Sequence, residues 1–364
     1  MKIICMYLPQ YHEVKENNEW WGDGYTEWTA VKKAKPLFKK HHQPNVPLDG
    51  YYNLDYDFRS TFQRQCELAN EYGIYGFCFY HYWFTGKLLL DSPMEHLLNN
   101  KDIKINYSLC WANETWTRTW YGKEKEILIE QRYGDKEDWK NHFDYLLRFF
   151  KDERYILIDN KPMLHIYKSA FIDCLKPMMD YWNELAKEQG FAGIYLVVGN
   201  QNSTIETRTE CFDAYYNFEP GYSIAHKRNC IKKIVYKVVS GTKLLYNKLF
   251  RKEILERSIS VDELYKLTTK VCSDVVKEKK IYYGTFPMWD NTPRRGNKGT
   301  VINGSSPKKF FYNLNEISKL CDDGDFVYIN AWNEWGEGTF LEPDDYRGYN
   351  YLEAIKEAVN EKAK

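Results

Sequence analysis

The sequence carries no excess of charge: 51 Lys+Arg stand against 51 Asp+Glu, so the formal net charge is zero. That balance excludes a chain whose whole surface is an electrostatic platform for nucleic acid or membrane. No stretch approaches the ~18–20 apolar residues of a transmembrane helix. The apolar run in the N-terminal MKIICMYLPQYHE is too short for a secretory signal. The nine cysteines (Cys5, Cys66, Cys78, Cys110, Cys174, Cys211, Cys230, Cys272 and Cys321) form no CxxC. Cys5, Cys78 and Cys110 sit in apolar runs, as reduced core thiols do, which predicts a reducing compartment without disulfides or a Cys-based metal site. No GxGxxG follows a strand, and P-loop, nucleophile elbow and metal motif are all missing, so no cofactor is expected. With 43% hydrophobic residues, no internal repeat and no low-complexity linker, the chain is not intrinsically disordered.

What is present in excess is aromatic: 17% of the residues, with 31 Tyr, 19 Phe and 12 Trp. Tyr joins an apolar face to a polar tip. Such faces suit sugar rings, whose C–H faces are apolar and whose edges are hydroxyls. The competing explanation is a compositional habit of the source organism.

Eight near-continuous apolar runs recur: Ile3–Leu8, Ile74–Tyr80, Ile105–Trp111, Pro162–Tyr167, Ile194–Gly199, Phe212–Phe218, Ile281–Phe286 and Asp325–Ala331. Continuous rather than alternating runs mark parallel strands buried on both faces. Amphipathic helices are predicted at Asp55–Tyr72, Lys136–Phe150, Phe171–Gln189, Val261–Lys279 and Pro307–Cys321, with short ones after the second and fifth strands. The pattern predicts α/β architecture, a single (β/α)8 barrel domain over 1–364, with an open doubly wound sheet as the alternative. A bare barrel needs ~250 residues. The surplus falls in long loops at about 12–54, 112–135 and 219–260, all on the face where barrel active sites are built.

Each strand delivers polar or aromatic groups to its carboxyl end. Tyr11 and His12 follow the first; Tyr80, His81 and Trp83 the second; Trp111, Asn113 and Glu114 the third. His165 and Tyr167 lie on the fourth, Asn200 ends the fifth, and Asn217 and Glu219 the sixth. Trp289, Asp290, Arg294 and Arg295 follow the seventh; Trp332, Asn333, Glu334, Trp335 and Glu337 the eighth. In a barrel these ends converge on one pocket. The strongest piece is Glu334-Trp335-Gly336-Glu337. Glycoside cleavage needs two carboxyl groups flanking the glycosidic bond, and closeness drives their pKa values apart. A lone ExxE is usually a helix-surface pair; its place after the eighth strand, among Trp and Gly, favours catalysis. The remaining residues are expected to bind substrate. Arg294 and Arg295 hold either a phosphate or acidic sugar, or a structural ion pair. His81 and His165 are either hydroxyl donors or satisfied core residues. Trp20, Trp21, Glu27 and Trp28 suggest a cleft wall.

A metal-dependent nucleotide-sugar transferase usually shows DxD after a strand. The DxD here, Asp323-Gly324-Asp325, enters the eighth strand from the opposite end. Glu334 and Glu342 have the E-x7-E spacing of some retaining transferases, a spacing common by chance. Residues 220–252 carry nine Lys/Arg (Lys227, Arg228, Lys232, Lys233, Lys237, Lys243, Lys248, Arg251 and Lys252) and no acid. This reads either as a basic amphipathic helix on a membrane or beside an anionic substrate, or as a solvated lid.

The stretches Tyr7-Leu8-Pro9-Gln10-Tyr11-His12, Glu19-Trp20-Trp21-Gly22, Phe77–Tyr80 with Tyr82-Trp83-Phe84, Trp111–Glu114, Trp289–Arg295 and Asn333–Gly338 together resemble the WbsX-type proteins. These are often labelled glycosyltransferases of polysaccharide clusters. They are themselves similar to family 99 glycoside hydrolases, the endo-α-mannosidases and endomannanases. The resemblance runs from first strand to last. It implies a (β/α)8 fold and retaining action on a glycan through a 1,2-anhydro sugar. Glu334 would be the base for the sugar 2-hydroxyl, and Glu337 the general acid and then base. Where the hydrolase motif has His between the glutamates, this chain has Gly336. The expected function is a metal-independent retaining endo-glycosidase or transglycosylase of bacterial surface polysaccharide (O-antigen or capsule). The alternatives are a nucleotide-sugar glycosyltransferase and a non-catalytic glycan-binding barrel. The expected substrate is an oligosaccharide or lipid-linked polysaccharide precursor, and the expected location cytoplasmic, with peripheral inner-membrane contact through 220–252 and no nucleic-acid partner.

Overall fold

The computed structural model describes residues 1–118, 123–201, 205–226, 230–250, 254–270 and 279–363, without the side chains of 118, 123–125, 230–237 and 363. Parallel strands close into a ring: β1 (Lys2–Tyr7), β2 (Ile74–Phe84), β3 (Asn106–Trp111), β4 (Lys161–Ile166), β5 (Tyr195–Asn200), β6 (Ala214–Asn217), β7 (Lys280–Tyr282 and Gly284–Thr285) and β8 (Phe326–Ile329). Each pairs with the next, and β8 returns to β1 with Lys2 opposite Phe326 and Cys5 opposite Ile329. The fold is the (β/α)8 barrel, and the open doubly wound sheet is excluded by this closure. The first piece of β7 bonds to β6 and the second to β8. A Cβ on Gly284 would collide with the Asn217 carbonyl oxygen, so this crossing needs a residue without a side chain.

Amphipathic helices wrap the ring. Lys136–Phe150 starts where the Asp135 carboxylate accepts the Glu137 and Asp138 amides at 3.0 and 3.3 Å. It buries Trp139, His142, Phe143, Leu146, Phe149 and Phe150, an i, i+3, i+4, i+7 stripe. Each apolar member contributes roughly 1.5–3 kcal/mol on leaving water. Phe58–Glu71, Leu175–Glu188 and Pro307–Ser318 do the same elsewhere. The segment after β2 forms a short helix, Ser92–Asn99, and the one after β5 a single 3-10 turn, Thr209–Cys211. The helix expected over Val261–Lys279 stops at Thr268, and 271–278 lie outside the described residues. Asn350–Ala363 supplies a last helix after β8, packed against Pro307–Ser318.

The long loops carry structure of their own on the carboxyl face. Two helices, Lys15–Trp21 and Trp28–Lys33, follow β1; an antiparallel hairpin, Trp116–Arg118 with Lys123–Ile129, follows β3. Gly221–His226 and Cys230–Phe250 follow β6. A parallel pair, Arg257–Ser260 with Thr300–Asn303, covers a small second core of Ile259, Val261, Leu264, Phe286 and Ile302. Much of the tyrosine excess is spent inside: Tyr7, Tyr107, Tyr215 and Tyr216 are fully buried. Across the barrel interior His165 Nε2 and the Tyr328 hydroxyl bond at 2.7 Å, with Tyr216 packed against both rings. The seven described cysteines are free thiols; Cys272 and the Cys230 side chain lie outside the described residues.

Candidate active site

The site is built on the turn after β8. Asn333–Glu334 pairs antiparallel with Thr339–Phe340, and Trp335–Glu337 forms a 3-10 turn closed by Gly338 at φ 58°. Three buried groups fix this turn from below. The Asn333 amide accepts the Leu8 N–H at 2.8 Å and donates to the Leu8 carbonyl at 3.0 Å. The Tyr11 hydroxyl donates to the Asn333 carbonyl and accepts the Trp335 N–H at 3.2 Å. Trp335 stacks on Phe340 with ring centres 3.7 Å apart, and its indole N–H donates to Glu342 at 2.8 Å. Glu334 and Glu337 are left facing a cleft of about 400 Å³.

Arg294, from the short helix Thr292–Arg295 after β7, lies across both. Its guanidinium reaches Glu334 Oε1 at 2.8 Å, Glu337 Oε1 at 3.2 Å and Glu27 Oε2 at 2.9 Å. One cation therefore serves three acids, two of which, Glu27 and Glu334, are buried. The Glu334 carboxyl is pushed up to about 8: burial raises it most, Arg294 pulls it down, and Glu337 and Glu27 add to the rise. Burial also raises Glu337, against the pull of Arg294. Its side chain keeps 29% exposure toward the cleft, so water screens it more than Glu334. Close carboxyls of this kind share a proton near neutrality. Gly336 makes the arrangement possible, because a Cβ there would stand 2.6 Å from both Arg294 Nε and Glu27 Oε2.

Aromatic rings wall the cleft. On one side are Trp20, Trp21 and Tyr25, with Trp116 of the hairpin edge-on to Trp20 at 5.8 Å and to Tyr82 at 5.2 Å. On the other, Tyr167 meets Tyr80 and Phe218 edge-on at 6.1 and 5.1 Å. Gln10 donates to the Tyr82 hydroxyl at 2.7 Å. Glu114, paired with Lys168, and Arg295 complete the rim.

Of the residues singled out from sequence, Trp20, Trp21, Glu27, Tyr80, Glu114, Tyr167, Arg294, Arg295, Glu334 and Glu337 line the cleft. The others are not among its lining residues. Side chains alternate along a strand, so Tyr80 and Tyr82 face the cleft while His81 and Trp83 face the helix Lys136–Phe150. His81 and His142 bond through their Nε2 atoms at 2.8 Å, and burial pushes His81 down to about 3. Trp83 stacks on His142 at 4.6 Å, and Trp111 donates to the Trp83 carbonyl at 3.2 Å. His165 is the barrel-core partner of Tyr328, pushed down to about 3 by burial. Asn113 clamps Lys168 through its amide, donating to the carbonyl at 2.9 Å and accepting the N–H at 2.8 Å. His12 is bonded to the Pro9 carbonyl at 2.9 Å, and burial lowers its pKa. Glu219 is bound by the Ser223 hydroxyl and amide at 2.7 and 3.1 Å and pushed up to about 8 by burial. Asp290 accepts from His41, Gln43 and Thr292, tying the first loop to the seventh. Trp289 packs against the second core, and Trp332 against Phe77. Tyr11, Asn333 and Trp335 support the turn, and Glu342 is saturated beneath it by Tyr52, Gln65 and Trp335. Asp325 of the DxD sits at the opposite end of β8, accepting from Lys280 at 2.7 Å.

The sequence reading placed Glu27 in a wall; its pairing with Arg294, 267 positions away, had no local signal. Gln10, Asn17, Tyr25, Tyr82, Trp116 and Phe218 line the cleft without being candidate site residues, although Gln10 and Tyr82 stand in the stretches that carry the resemblance; parity with Tyr80 is a usable signal for Tyr82. Among the described residues no group of three His, Cys, Asp or Glu is placed to hold a metal ion.

The closed parallel barrel recurs in solved structures. The barrel is similar to the GH99 endo-alpha-mannosidase of Bacteroides thetaiotaomicron, with TM-score 0.59, 12% identity, and 99% of this chain and 97% of that one covered. It is similar also to a glycoside hydrolase-like protein, with TM-score 0.60, 15% identity and coverage of 98% and 93%. The chain belongs to the Glycosyltransferase WbsX family, which matches residues 3–355. Among curated proteins it is 31% identical over 363 residues to the uncharacterized protein WxcX of Xanthomonas campestris pv. campestris (strain ATCC 33913) and equally to that of strain B100. The match covers 98% of this chain and 49% of each relative, so the chain spans about half their length. Among the described residues no helix is long and apolar enough to cross a membrane.

Proposed function

We propose that residues 1–364 act as one glycan-processing domain, a retaining endo-glycosidase or transglycosylase of bacterial surface polysaccharide, O-antigen or capsule. The substrate is an oligosaccharide or lipid-linked precursor at the cytoplasmic face of the inner membrane. The observation that carries this reading is the Glu334/Glu337 pair under Arg294, facing a cleft walled by Trp20, Trp116, Tyr80 and Tyr167. Rings of this kind suit the apolar faces of sugars. The pair holds one proton near neutral pH. With that proton on Glu337, Glu337 protonates the leaving oxygen while Glu334 takes the proton of the sugar 2-hydroxyl, whose oxygen attacks the neighbouring anomeric carbon. Ring opening by water, or by another sugar hydroxyl, with Glu337 now the base and Glu334 returning its proton to the sugar O2, gives hydrolysis or transfer with retention and restores the starting pair. Because Glu334 is raised to about 8, activity is expected to fall above about pH 8 as the shared proton is lost.

The test is incubation of the parent and of Glu337→Gln with oligosaccharides of the source strain, with and without nucleotide sugars. The expected outcome is cleavage or transfer by the parent without nucleotide, and a loss of at least about a hundredfold in Glu337→Gln. The family description favours a second reading, a glycosyltransferase. Release of a nucleoside diphosphate only with a nucleotide sugar would establish it. Glycan binding by both proteins with no turnover would make the barrel a binding module.

A further inference from the structure

The helix Cys230–Phe250 lies outside the barrel, and its described half is exposed nearly all round. Val238, Leu249 and Phe250 are 60%, 66% and 61% exposed, and Val239, Leu245 and Tyr246 are exposed with them. At about 100° per residue, these six residues share one arc of the helix. Lys243 borders the arc on one side and Lys248 on the other. Asn247, nine residues on from Val238, stands half a turn away and is the buried residue of this half. Its amide donates to the Ile254 carbonyl at 2.8 Å and to Glu256 at 3.3 Å, while Ile254 N–H donates back at 3.0 Å. The helix is thus fastened through Asn247 and its larger apolar arc faces outward, with Leu244, also exposed, lying off that arc.

A face of this size left to water needs an occupant. Charge chooses among occupants. From 220 to 252 the sequence has nine Lys/Arg and no Asp or Glu, in a chain whose formal net charge is zero, so positive charge is concentrated here and the remainder is acidic. A second copy would bring the same positive charge against itself. An acidic lipid surface would not, and Tyr246 and Phe250 are ring types that settle at a headgroup boundary. We propose that Cys230–Phe250 lies in the interface of an anionic lipid bilayer, apolar arc inward and lysines at the headgroups.

The attachment has a direction. Glu256, which holds Asn247, also accepts from Asn297 Nδ2 at 3.2 Å, and its amide donates to the Asn297 carbonyl at 3.0 Å. Asn297 stands two residues beyond Arg295 on the cleft rim. The helix is therefore braced against the same loop that carries Arg294, and a bilayer under it would lie beside the cleft mouth. That a glycan on a lipid anchor reaches Glu334 this way rests on the function proposed above; the membrane contact does not.

The test is co-sedimentation of the whole chain with phosphatidylglycerol/phosphatidylcholine vesicles and with phosphatidylcholine vesicles alone. The parent is expected to pellet with the anionic vesicles at least about tenfold better than with the neutral ones. The triple variant Val238→Glu, Leu249→Glu, Phe250→Glu is expected to stay in solution with nearly the parent's melting temperature, because all three side chains are mostly exposed and Phe250 packs only on Tyr246 of the same helix among the described residues. Lys243→Glu with Lys248→Glu is expected to weaken the anionic preference. Failure of the parent to pellet, or equal pelleting of the triple variant, would overturn the proposal. So would a dimer in sedimentation velocity that the triple variant dissolves while vesicles bind neither. Glycan turnover in detergent-free buffer without vesicles reports separately on the cleft.

Discussion

Arg294 is the residue on which the site turns. A guanidinium among three carboxylates leaves the cluster with more negative than positive charge if all ionise, so a proton is retained. Glu27 is the acid with no place in the proposed chemistry, and its Oε1 has no hydrogen-bond partner among the described residues. Its negative charge raises Glu334. Glu27→Gln removes that push and leaves Arg294 less neutralised, so Glu334 ionises more easily. The alkaline limb of kcat/KM is expected to move down by about one pH unit, read from a pH–rate profile, with the acid limb less affected. An unchanged alkaline limb would mean that Glu27 only fills space. The glutamate pair was legible in the sequence because both members lie within one turn after a strand. The cation over them was legible as a nearby candidate. The third acid was not, because ion pairs between distant loops leave no periodicity.

At the scale of elements, the strands were legible for a simple reason: burial on both faces erases the polar alternation, leaving continuous apolar runs. Their ends shift by a residue or two, except that the second strand runs four residues further, to Phe84. What the apolar pattern did not reveal were elements held by something other than a wide apolar face. The hairpin strand Lys123–Ile129 reads KEKEILI, with its first four residues charged. The pair Arg257–Ser260 with Thr300–Asn303 is four residues long on each side. The helix Asn350–Ala363 is a different miss, since Tyr351, Ala354, Ile355 and Ala358 recur at helical spacing and were sufficient to find it. Strand parity explains much of the site reading too: His81 and Trp83 were named with Tyr80, though a strand presents only alternate residues to one side. The hairpin has a functional consequence. Trp116 stands between Trp20 and Tyr82 and holds two loops together as one wall. Trp116→Ala is expected to raise KM for an oligosaccharide roughly tenfold, equivalent to about 1.4 kcal/mol, while both pH limbs stay in place. A fall in kcat with KM unchanged would put Trp116 in the chemistry instead.

At the scale of the whole molecule, buried titratable groups set how stability follows pH. Glu219 and Glu334 are held up to about 8 and Glu342 to about 7, all by burial. A carboxyl held above its unfolded value supports the fold while protonated. That support is complete below about 4.5 and disappears as pH rises through 7 and 8. His81 and His165, pushed down to about 3, support the fold while neutral; their share is complete above about 6.5 and is lost as pH falls toward 3. The two trends oppose each other between about 4.5 and 6.5. Urea midpoints are therefore expected to be nearly level in that window and to decline on either side. Glu219→Gln keeps an acceptor for Ser223 and is expected to flatten the alkaline decline. A midpoint still rising from pH 6.5 to 8 would contradict the burial of these acids.

Glu27, Arg294 and Gly336 come from the first, seventh and eighth loops, yet each occupies space the others define. Enlarging position 336 evicts the guanidinium; shortening 294 strands two buried anions; neutralising 27 loosens the cation from its seat. Evolution can therefore rewrite this corner only by concerted exchange, and sequences that place a bulky ring at 336 are expected to have abandoned the arginine and its distant acid together.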